Sequence, residues 1–263
     1  MRIGIIGAGA IACYVATEAH AHGHKVGALL LRPDRSSATP AVLAEVEQYD
    51  NVADLPADLD QVVDCAGHSA LRDYGPQILA SGTSMTTVSL GALADEQLYA
   101  DLSQAADSGN SLLHLASGAI GALDCLRSAR VGKLQSVIYT GRKPPRGWQG
   151  SPAESSIDLA GLTAGAATHF TGTARVAARE YPKNANVAAA VALAGIGFDA
   201  TRVELIADAD ITDNIHEIQA SGEFGSFQFI IHGHALPDNP RSSALAAMSV
   251  IGSLDQQAQR VVF

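Results

Sequence analysis

The chain has 263 residues, 47% of them hydrophobic, and a formal net charge of −10. This length is sufficient for one or two domains with a sizeable core, and the negative charge argues against nucleic acid or an anionic membrane as a partner. Its three cysteines form no CxxC pair and no even disulfide framework, as is typical of a reducing cytoplasm. The apolar run over residues 187–198 is too short to span a bilayer and predicts a buried helix.

The first half of the chain alternates between predicted strands and helices. A strand over residues 3–6 leads to a helix over about 10–22, and a strand over 25–31 leads to a helix over 40–49. Helical patterns separate three further apolar runs, which are predicted strands: 61–66, 84–90 and 111–116. This alternation predicts an α/β fold with a doubly wound parallel sheet, covered by helices on both faces.

The pattern changes after Ser117. A strand is predicted over 133–141, a loop rich in proline and glycine over 142–152, and a helical stretch over 172–197 that is broken near Pro182. Three β-rich segments with short links then predict a strand meander: 201–208, 214–222 and 224–233. We therefore expect a second, α+β domain with a mainly antiparallel sheet.

The end of the chain is predicted to return to the first domain. Residues 242–259 form an amphipathic pattern, which indicates a helix that packs on that domain. The expected division is therefore residues 1–116 plus 238–263 for the first domain and residues 117–237 for the second.

A glycine-rich turn, GAGAIA at residues 7–12, joins the first predicted strand to the first predicted helix. The pyrophosphate of a dinucleotide binds backbone N–H groups at such a helix start, where no side chain obstructs it. Gly7 permits the sharp turn, Gly9 lets the backbone approach the phosphates, and the fingerprint accepts alanine in its third position. The turn predicts a Rossmann domain that binds NAD or NADP through Gly7, Gly9, Ala10 and Ile11. A purely structural glycine turn is the alternative.

The end of the second predicted strand carries arginine instead of an acidic residue. An acidic side chain there would bind the adenosine ribose of NAD, whereas Arg32, with Arg35 nearby, can neutralise the 2′-phosphate of NADP. The sequence therefore favours acceptance of NADP, and Asp34 leaves NAD open. The alternative is that both arginines only face solvent.

The segment NIHEI, residues 214–218, alternates polar and apolar residues. On a strand, Asn214, His216 and Ile218 share one face. Dehydrogenation of an amine needs a group that takes a proton from the ammonium, and histidine exchanges protons near neutral pH. His216 suits that role, although a strand histidine is often only structural.

Basic and amide side chains are the candidates for binding anionic or amide groups. An acidic protein that binds carboxylates must concentrate cations locally, and Lys183, Arg142, Lys143 and Arg146 come nearest to a cluster. Solvated loop charges are the alternative. Asn184 or Asn186, in YPKNANVA, can either cap the following helix or hold a carboxamide.

Two other motifs have ordinary alternatives. The alternating histidines of HAHGH, residues 20–24, are a conceivable metal site, but incidental histidines at a helix end are more common, and we expect no metal. SGAIGALD, residues 117–124, is a second turn of small residues before a helix. This turn lies beside the nicotinamide or simply carries the chain from one domain to the next.

Taken together, these segments resemble the L-aspartate dehydrogenases, NAD(P)-dependent enzymes that oxidise L-aspartate to iminoaspartate. The resemblance covers nearly the whole chain, and its central block and NIHEI are the most specific parts. It rests on six segments: GAGAIA (7–12), SGAIGALD (117–124), GRKPP (141–145), YPKNANVAAAVALAGIGFDATRVELIAD (181–208), NIHEI (214–218) and NPRSSALAAMSV (239–250).

The resemblance implies roles for particular residues. It implies that His216 is catalytic and that Ala119 and Asn186 contact the nicotinamide cofactor. It also implies a homodimer, joined through the inserted second domain, whose product can feed NAD biosynthesis through quinolinate; the cytoplasm is expected from the cysteines. The substrate, L-aspartate, is expected to contact four polar residues: Asn214, Lys183, Arg142 and Lys143.

The expected function is therefore NAD(P)-dependent oxidation of L-aspartate, with iminoaspartate able to hydrolyse to oxaloacetate and ammonia. Two alternatives stay open. The enzyme can act on another small amino or hydroxy acid, or the chain can be a catalytically silent NAD(P)-binding sensor.

Overall fold

The computed structural model describes residues 1–32, 39–236 and 239–262, without the side chains of residues 239–241. The chain divides into two compact units. The first comprises Met1–Gly118 and Ala246–Phe263, and the second comprises Ala119–Leu245. Among the described residues, no helix combines the length and the apolar character needed to cross a membrane.

The first unit contains a six-stranded, entirely parallel sheet. Its strands occur in the order β3-β2-β1-β4-β5-β6, so the order in which strands are added reverses between β1 and β4. This is the doubly wound order of a Rossmann fold, in which ligands bind where the strand order reverses. The predicted α/β class is confirmed. The strands are β1 (Arg2–Ile6), β2 (Lys25–Leu30), β3 (Gln48–Tyr49), β4 (Gln61–Asp64), β5 (Ser84–Thr87) and β6 (Leu113–Leu115).

Four helices accompany this sheet in sequence: α1 (Ala10–Ala19), α2 (His68–Ala80), α3 (Glu96–Gly109) and the C-terminal α8 (Ala244–Ala258). Val250, Ile251 and Leu254 of α8 are buried in one cluster with Ile3 and Ile5 of β1. Burial of these apolar side chains is the main stabilising contribution to such packing. The C-terminal helix therefore packs on the sheet of the first unit.

The helix predicted over residues 40–49 is wrong. Residues Ala41–Leu43 form one 3₁₀ turn, and Gln48–Tyr49 form the edge strand β3. Leu43 is fully buried but Val42 is 43% exposed, so this segment offers no continuous apolar stripe for a longer helix. Pairing with β2 replaces the helical hydrogen bonds in this segment. The N–H groups of Leu29 and Leu31 donate to its backbone carbonyls.

The second unit contains a five-stranded mixed sheet in the order β11-β10-β7-β9-β8. Three of its four strand pairs are antiparallel, and β7 with β9 is parallel, so the mainly antiparallel prediction is confirmed. The strands are β7 (Leu134–Lys143), β8 (Ala166–Thr173), β9 (Arg202–Asp208), β10 (Asn214–Gly222) and β11 (Gly225–Gly233). A short separate hairpin consists of β12 (Ala235–Leu236) and β13 (Asn239–Ser243).

The predicted meander is wrong because β7 lies between β9 and β10. Only β10 and β11 form a hairpin, through the two residues between Gly222 and Gly225. The sequence also gave no sign of β8, which contains few apolar residues. The helical prediction over 172–197 resolves into α6 (Ala174–Glu180) and α7 (Asn186–Ala194), separated at Pro182 as expected. The remaining helices are α4 (Leu123–Ala129) and α5 (Ala153–Ser156).

Candidate active site

The glycine turn between β1 and α1 has the geometry of a phosphate cradle. Gly7 has a φ of +91°, and a Cβ added there would lie 2.8 Å from the Cβ of Ala66. Gly9 is the N-cap of α1, no side chain caps this helix, and a Cβ at Gly9 would meet nothing within 4 Å. Open space in front of uncapped helix N–H groups suits an anionic pyrophosphate. The residues therefore fit a dinucleotide.

A buried carboxylate shapes the turn that faces Gly7. Asp64, at the end of β4, accepts hydrogen bonds from the backbone N–H of Ala66 and Gly67 at 2.9 and 3.3 Å. The hydroxyls of Thr87 and Ser89 donate to its other oxygen at 2.8 and 2.6 Å. Burial raises the pKa of Asp64, although these four donors favour its ionised form. Asp64 thereby ties the ends of β4 and β5 together beneath the turn.

Arg32 lies directly beyond β2, at the carboxyl edge of the parallel sheet. Its Nη2 donates to the hydroxyl of Ser69 in the first turn of α2 at 2.6 Å, and Asp73 lies 3.8 Å away. The side chain is 45% exposed, so it remains accessible to an anionic ligand. Asp34 and Arg35, the other residues considered for cofactor choice, lie outside the described residues.

The turn SGAIGALD spans the boundary between the two units, since Ala119 is the first residue of the second. Ala119 and Ile120 are buried. A Cβ at Gly121 would lie 2.8 Å from the ring of Phe229, so this backbone approaches an aromatic side chain closely. The following residue, Ala122, takes left-handed backbone angles at the N-cap of α4.

The candidate catalytic residues of the second unit lie on one buried sheet face. On β10, His216 and Ile218 are buried, as the alternation in NIHEI predicts. His216 pairs in register with Gly141 of β7, and Ile218 pairs with Tyr139. The register therefore brings the His216 imidazole beside the Tyr139 phenol, whose hydroxyl lies 2.8 Å from Nδ1.

Gly141 is required by this arrangement. A Cβ at Gly141 would lie 2.7 Å from the Tyr139 hydroxyl oxygen, which is closer than such atoms can approach. Burial raises the pKa of Tyr139, so the phenol remains protonated in the physiological range. Tyr139 thus offers His216 a permanently neutral hydrogen-bond partner.

Lys143 is a cationic side chain on the same face, at the end of β7. The structure corrects the loop predicted from residue 142, because β7 continues through Arg142 and Lys143. The Lys143 ammonium lies 5.0 Å from the ring centroid of Trp148. Burial lowers the pKa of Lys143 to about 8. Its charge also contributes to the lowered pKa of His216, so the two groups are within electrostatic reach.

His169 is a candidate site residue that no sequence pattern singles out. It lies at an irregularity of β8, where the register shifts between Thr168 and Phe170, and such bulges redirect side chains. Its ring packs edge-on against Trp148 at 4.4 Å between centroids, and its Nδ1 lies 3.2 Å from the hydroxyl of Tyr181. The strand carries no strong pattern, so only the structure brings these rings together.

The remaining predicted substrate residues are placed less centrally. Arg142 forms an ion pair with Asp208 at 2.8 Å, so its charge is already neutralised by a carboxylate of the protein. Burial opposes the ionisation of Asp208, but hydrogen bonds, chiefly from Arg142, lower its pKa. Lys183 is exposed in the turn between α6 and α7, and Asn214 is the partly buried first residue of β10.

The asparagines of YPKNANVA are not N-caps. Ala185 occupies the N-cap position of α7, and Asn186 is the first helical residue. The Asn184 amide instead donates to the carbonyl of Gly147 at 3.5 Å, which connects this turn to the 3₁₀ turn Pro145–Trp148. The capping interpretation was wrong because the N-cap position falls on Ala185, one residue after Asn184 and one residue before Asn186.

The histidines of HAHGH have a structural role. His22 Nδ1 and His24 Nε2 lie 2.7 and 3.0 Å from the two carboxylate oxygens of Asp255 in α8. They therefore connect the end of α1 to the C-terminal helix. Within the part of the chain that the structure describes, no group of three or more His, Cys, Asp or Glu side chains is arranged to hold a metal ion.

Comparison with known proteins identifies the family of each part of the chain. Residues 4–116 match the family model "Homoserine dehydrogenase, NAD binding domain", and residues 124–257 match "Aspartate dehydrogenase, C-terminal". An L-aspartate dehydrogenase of Ruegeria pomeroyi is 54% identical over 99% of this chain and 94% of that protein. The chain belongs to the L-aspartate dehydrogenase family.

Other members support this family placement along the full length. An L-aspartate dehydrogenase of Polaromonas sp. is 41% identical over 100% of this chain and 99% of that protein. The solved structure of aspartate dehydrogenase from Thermotoga maritima covers 100% of this chain and 99% of its own, with a TM-score of 0.78 and 26% identity. The resemblance inferred from the sequence motifs is confirmed.

The two site histidines should make the stability of this family member depend on pH. Burial, followed by the charge of Lys143, lowers the pKa of His216 to about 3 and that of His169 to about 4. In the unfolded chain both would titrate near 6.5. Below that pH the unfolded chain binds protons that the folded chain excludes, so the free energy of unfolding falls by about 1.4 kcal/mol per pH unit for each histidine.

The measurement is urea unfolding at pH 7, 6 and 5, followed by fluorescence of Trp148, the chain's one tryptophan. We expect full stability above pH 6.5 and a progressive loss below it. His169→Phe keeps an aromatic ring against Trp148. Below pH 6.5 it should reduce the slope of unfolding free energy against pH by about 1.4 kcal/mol per pH unit, the contribution of one histidine. Equal slopes in the wild type and this variant would contradict the assignment for His169.

Proposed function

We propose that this protein oxidises L-aspartate to iminoaspartate, with NAD or NADP as the hydride acceptor. The observation that carries the proposal is the buried His216, paired with Tyr139 and within electrostatic reach of Lys143, in a member of the L-aspartate dehydrogenase family. Iminoaspartate then leaves or hydrolyses to oxaloacetate and ammonia.

The residues proposed to hold the cofactor are those of the phosphate cradle. Gly7 and Gly9 leave the turn unobstructed. The backbone N–H groups of Ala10 and Ile11, at the start of α1, are proposed to donate to the pyrophosphate. The bound nicotinamide supplies the hydride acceptor. We further propose, from the family resemblance, that Ala119 and Asn186 contact the cofactor.

His216 is proposed to take the proton from the substrate ammonium. For Nε2 to accept a proton, Nδ1 must carry the hydrogen and donate it to the Tyr139 oxygen. Burial keeps the free imidazole neutral, as a base must be. A bound dicarboxylate brings negative charge beside His216 and Lys143, which raises the pKa of both groups. The base thereby gains strength only when substrate is present.

The overall reaction balances with one hydride and one proton. The Cα–H bond breaks and its electron pair leaves as hydride, while the nitrogen lone pair, freed by loss of a proton to His216, forms the C=N bond. The protein contributes orientation, proton transfer and charge complementarity. Asn214, Lys143, Arg142 and Lys183 remain the proposed substrate contacts, and the ion pair with Asp208 favours an indirect role for Arg142.

The test is the absorbance of reduced nicotinamide, with purified protein, L-aspartate and either NAD or NADP at alkaline pH. Growth of the absorbance with L-aspartate, and not with L-glutamate, L-alanine or malate, is the expected result. Turnover of another acid alone would assign a different substrate. Tight cofactor binding without turnover of any acid would favour a sensor.

Cofactor choice is proposed to depend on Arg32. Its guanidinium reaches Ser69 at the start of α2 and is accessible, so it can neutralise a 2′-phosphate. Arg32→Ala should raise the KM for NADP about tenfold or more and change the KM for NAD less than twofold. Arg72→Ala, which removes an exposed arginine paired with Asp95, is the matched control and should change neither value. Equal effects on both cofactors would contradict the assignment.

We also propose, from the family resemblance, a cytoplasmic homodimer formed through the second domain, residues 117–237, with a product that feeds NAD biosynthesis. The domain of residues 1–116 and 238–263 is proposed to bind the dinucleotide. Size-exclusion chromatography with light scattering tests the dimer directly.

A further inference from the structure

His169 carries a buried ring nitrogen that has no hydrogen-bond partner among the described residues. This nitrogen, Nε2, is shielded from water. Burial raises the pKa of the Tyr181 phenol, which therefore stays protonated and can donate to Nδ1. Because a neutral imidazole has one hydrogen, donation from Tyr181 to Nδ1 leaves that hydrogen on Nε2, whereas the reverse direction leaves Nε2 an acceptor. Buried polar atoms in native proteins normally have a partner, so the unpartnered Nε2 indicates a missing ligand.

A cation without a carboxylate partner lies beside this nitrogen. Among the described residues, no carboxylate lies within 4.0 Å of the Lys143 ammonium, which packs 5.0 Å from the centroid of Trp148. The His169 ring packs against the same indole at 4.4 Å, and the charge of Lys143 contributes to the lowered pKa of His169. A cation and an unpartnered imidazole nitrogen therefore share one partly apolar site. With the His169 hydrogen on Nε2, this is the chemistry that binds a carboxylate.

The sheet order places this site away from the reacting end of the substrate. His216 lies on β10, and His169 lies on β8, with β7 and β9 between them. Neighbouring strands are about 4.8 Å apart, so the two histidines approach one another only through their side chains and Lys143. The charge of Lys143 contributes to the lowered pKa of both histidines, so Lys143 is the group within electrostatic reach of both.

We infer that Lys143 and His169 bind the side-chain carboxylate of a dicarboxylic amino acid, which makes His169 a specificity-determining residue. The inference rests on the proposed function, because that function places the substrate amine at His216. Since Nε2 is shielded, a carboxylate reaches it only after a neighbouring side chain moves. Lys143, with its flexible stem, is the neighbour that moves most readily.

Succinate is the probe, because it has two carboxylates and no amine to oxidise. Trp148 is the chain's one tryptophan and packs against both proposed ligands, so its fluorescence reports binding without turnover. We expect succinate to change the Trp148 emission in the wild type, and propionate at the same concentration to leave it unchanged. In His169→Phe, which keeps a ring against Trp148, the Kd for succinate should rise at least tenfold.

Tyr181→Phe is the more conservative variant. It keeps both rings and removes only the hydroxyl that fixes the His169 tautomer, so the Kd for succinate should rise about threefold. A role in packing alone would leave this value unchanged. This variant also keeps the inference testable if His169→Phe does not fold.

Steady-state kinetics provide the second readout. In His169→Phe the KM for L-aspartate should rise at least tenfold, the KM for NAD should stay constant, and the preference for L-aspartate over L-alanine should shrink. Unchanged succinate binding and an unchanged KM for L-aspartate in both variants would overturn the inference while leaving aspartate oxidation intact. The protein could instead bind succinate in a His169-dependent way and not oxidise L-aspartate. That result would support the carboxylate-binding role of Lys143 and His169 and reject L-aspartate as the substrate.

Discussion

His216→Asn is expected to lower kcat for L-aspartate by a factor of about 10² to 10⁴, the range typical of a lost general base. Asparagine can place an amide atom near the position of Nδ1 and retain the contact with Tyr139, but it has no group at the position of Nε2. The proton of the ammonium then has no acceptor in the protein. The measurement is steady-state kinetics with L-aspartate and NAD.

Cofactor binding separates this effect from loss of structure. The phosphate cradle is built by β1 and α1 of the first unit, whereas His216 belongs to the second. The Kd for NAD, from calorimetry, should therefore change less than twofold in His216→Asn. A kcat within threefold of the wild type would reject His216 as the proton acceptor.

Tyr139→Phe is the matched control for the hydrogen bond. It keeps the buried ring beside His216 and removes the hydroxyl that lies 2.8 Å from Nδ1. The imidazole can then carry its hydrogen on either nitrogen, so we expect about a tenfold loss of kcat and an altered pH dependence of kcat/KM. Gly141→Ala should act in the same direction, because its Cβ would displace the same hydroxyl.

The elements that sequence patterns predicted correctly are those with local determinants. The turn at residues 7–12, the alternation in NIHEI and the break at Pro182 each depend on residues adjacent in the chain, and each occurs in the structure where expected. Hydrophobic periodicity and turn-forming residues are recognised within a few neighbouring residues, so they can be identified from a single sequence.

The elements that were missed depend on distant residues. Strand β3 exists because β2 offers an edge for pairing, and β7 lies between β9 and β10 although both follow it in the chain. Sheet order is set by packing between segments far apart, which the local pattern does not encode.

His169 illustrates the same limit at the site. Its placement depends on an irregularity in β8 and on aromatic partners contributed by two other segments, Trp148 and Tyr181. The sequence allows Lys143 to be selected as a cation. It does not show that Lys143 lies on a strand face with its ammonium against the Trp148 ring. A polar strand with one histidine has no signature that distinguishes a ligand-binding residue from a structural one.

Gly9→Ser is expected to weaken cofactor binding at least tenfold without weakening the fold. Gly9 has ordinary extended backbone angles, and a Cβ there meets no atom within 4 Å, so the free protein accepts a side chain without strain. Serine is moreover a better N-cap than glycine, and the free energy of unfolding should stay constant or rise by a few tenths of a kcal/mol. The serine hydroxyl would accept a hydrogen bond from the N–H groups that the pyrophosphate needs. It would also fill the space in front of them.

Two other glycines give the contrasting outcomes that make this result interpretable. Gly7→Ala combines a φ of +91° with a contact 2.8 Å from the Cβ of Ala66, so both stability, by about 1–3 kcal/mol, and cofactor affinity should fall. Gly23→Ala has a φ of +76° in open space beyond α1, so stability alone should fall, by about 1–2 kcal/mol. Urea unfolding and calorimetric titration with NAD measure the two quantities. Gly9→Ser with unchanged affinity would show that the pyrophosphate does not lie against this turn, since no loss of folding could hide the effect.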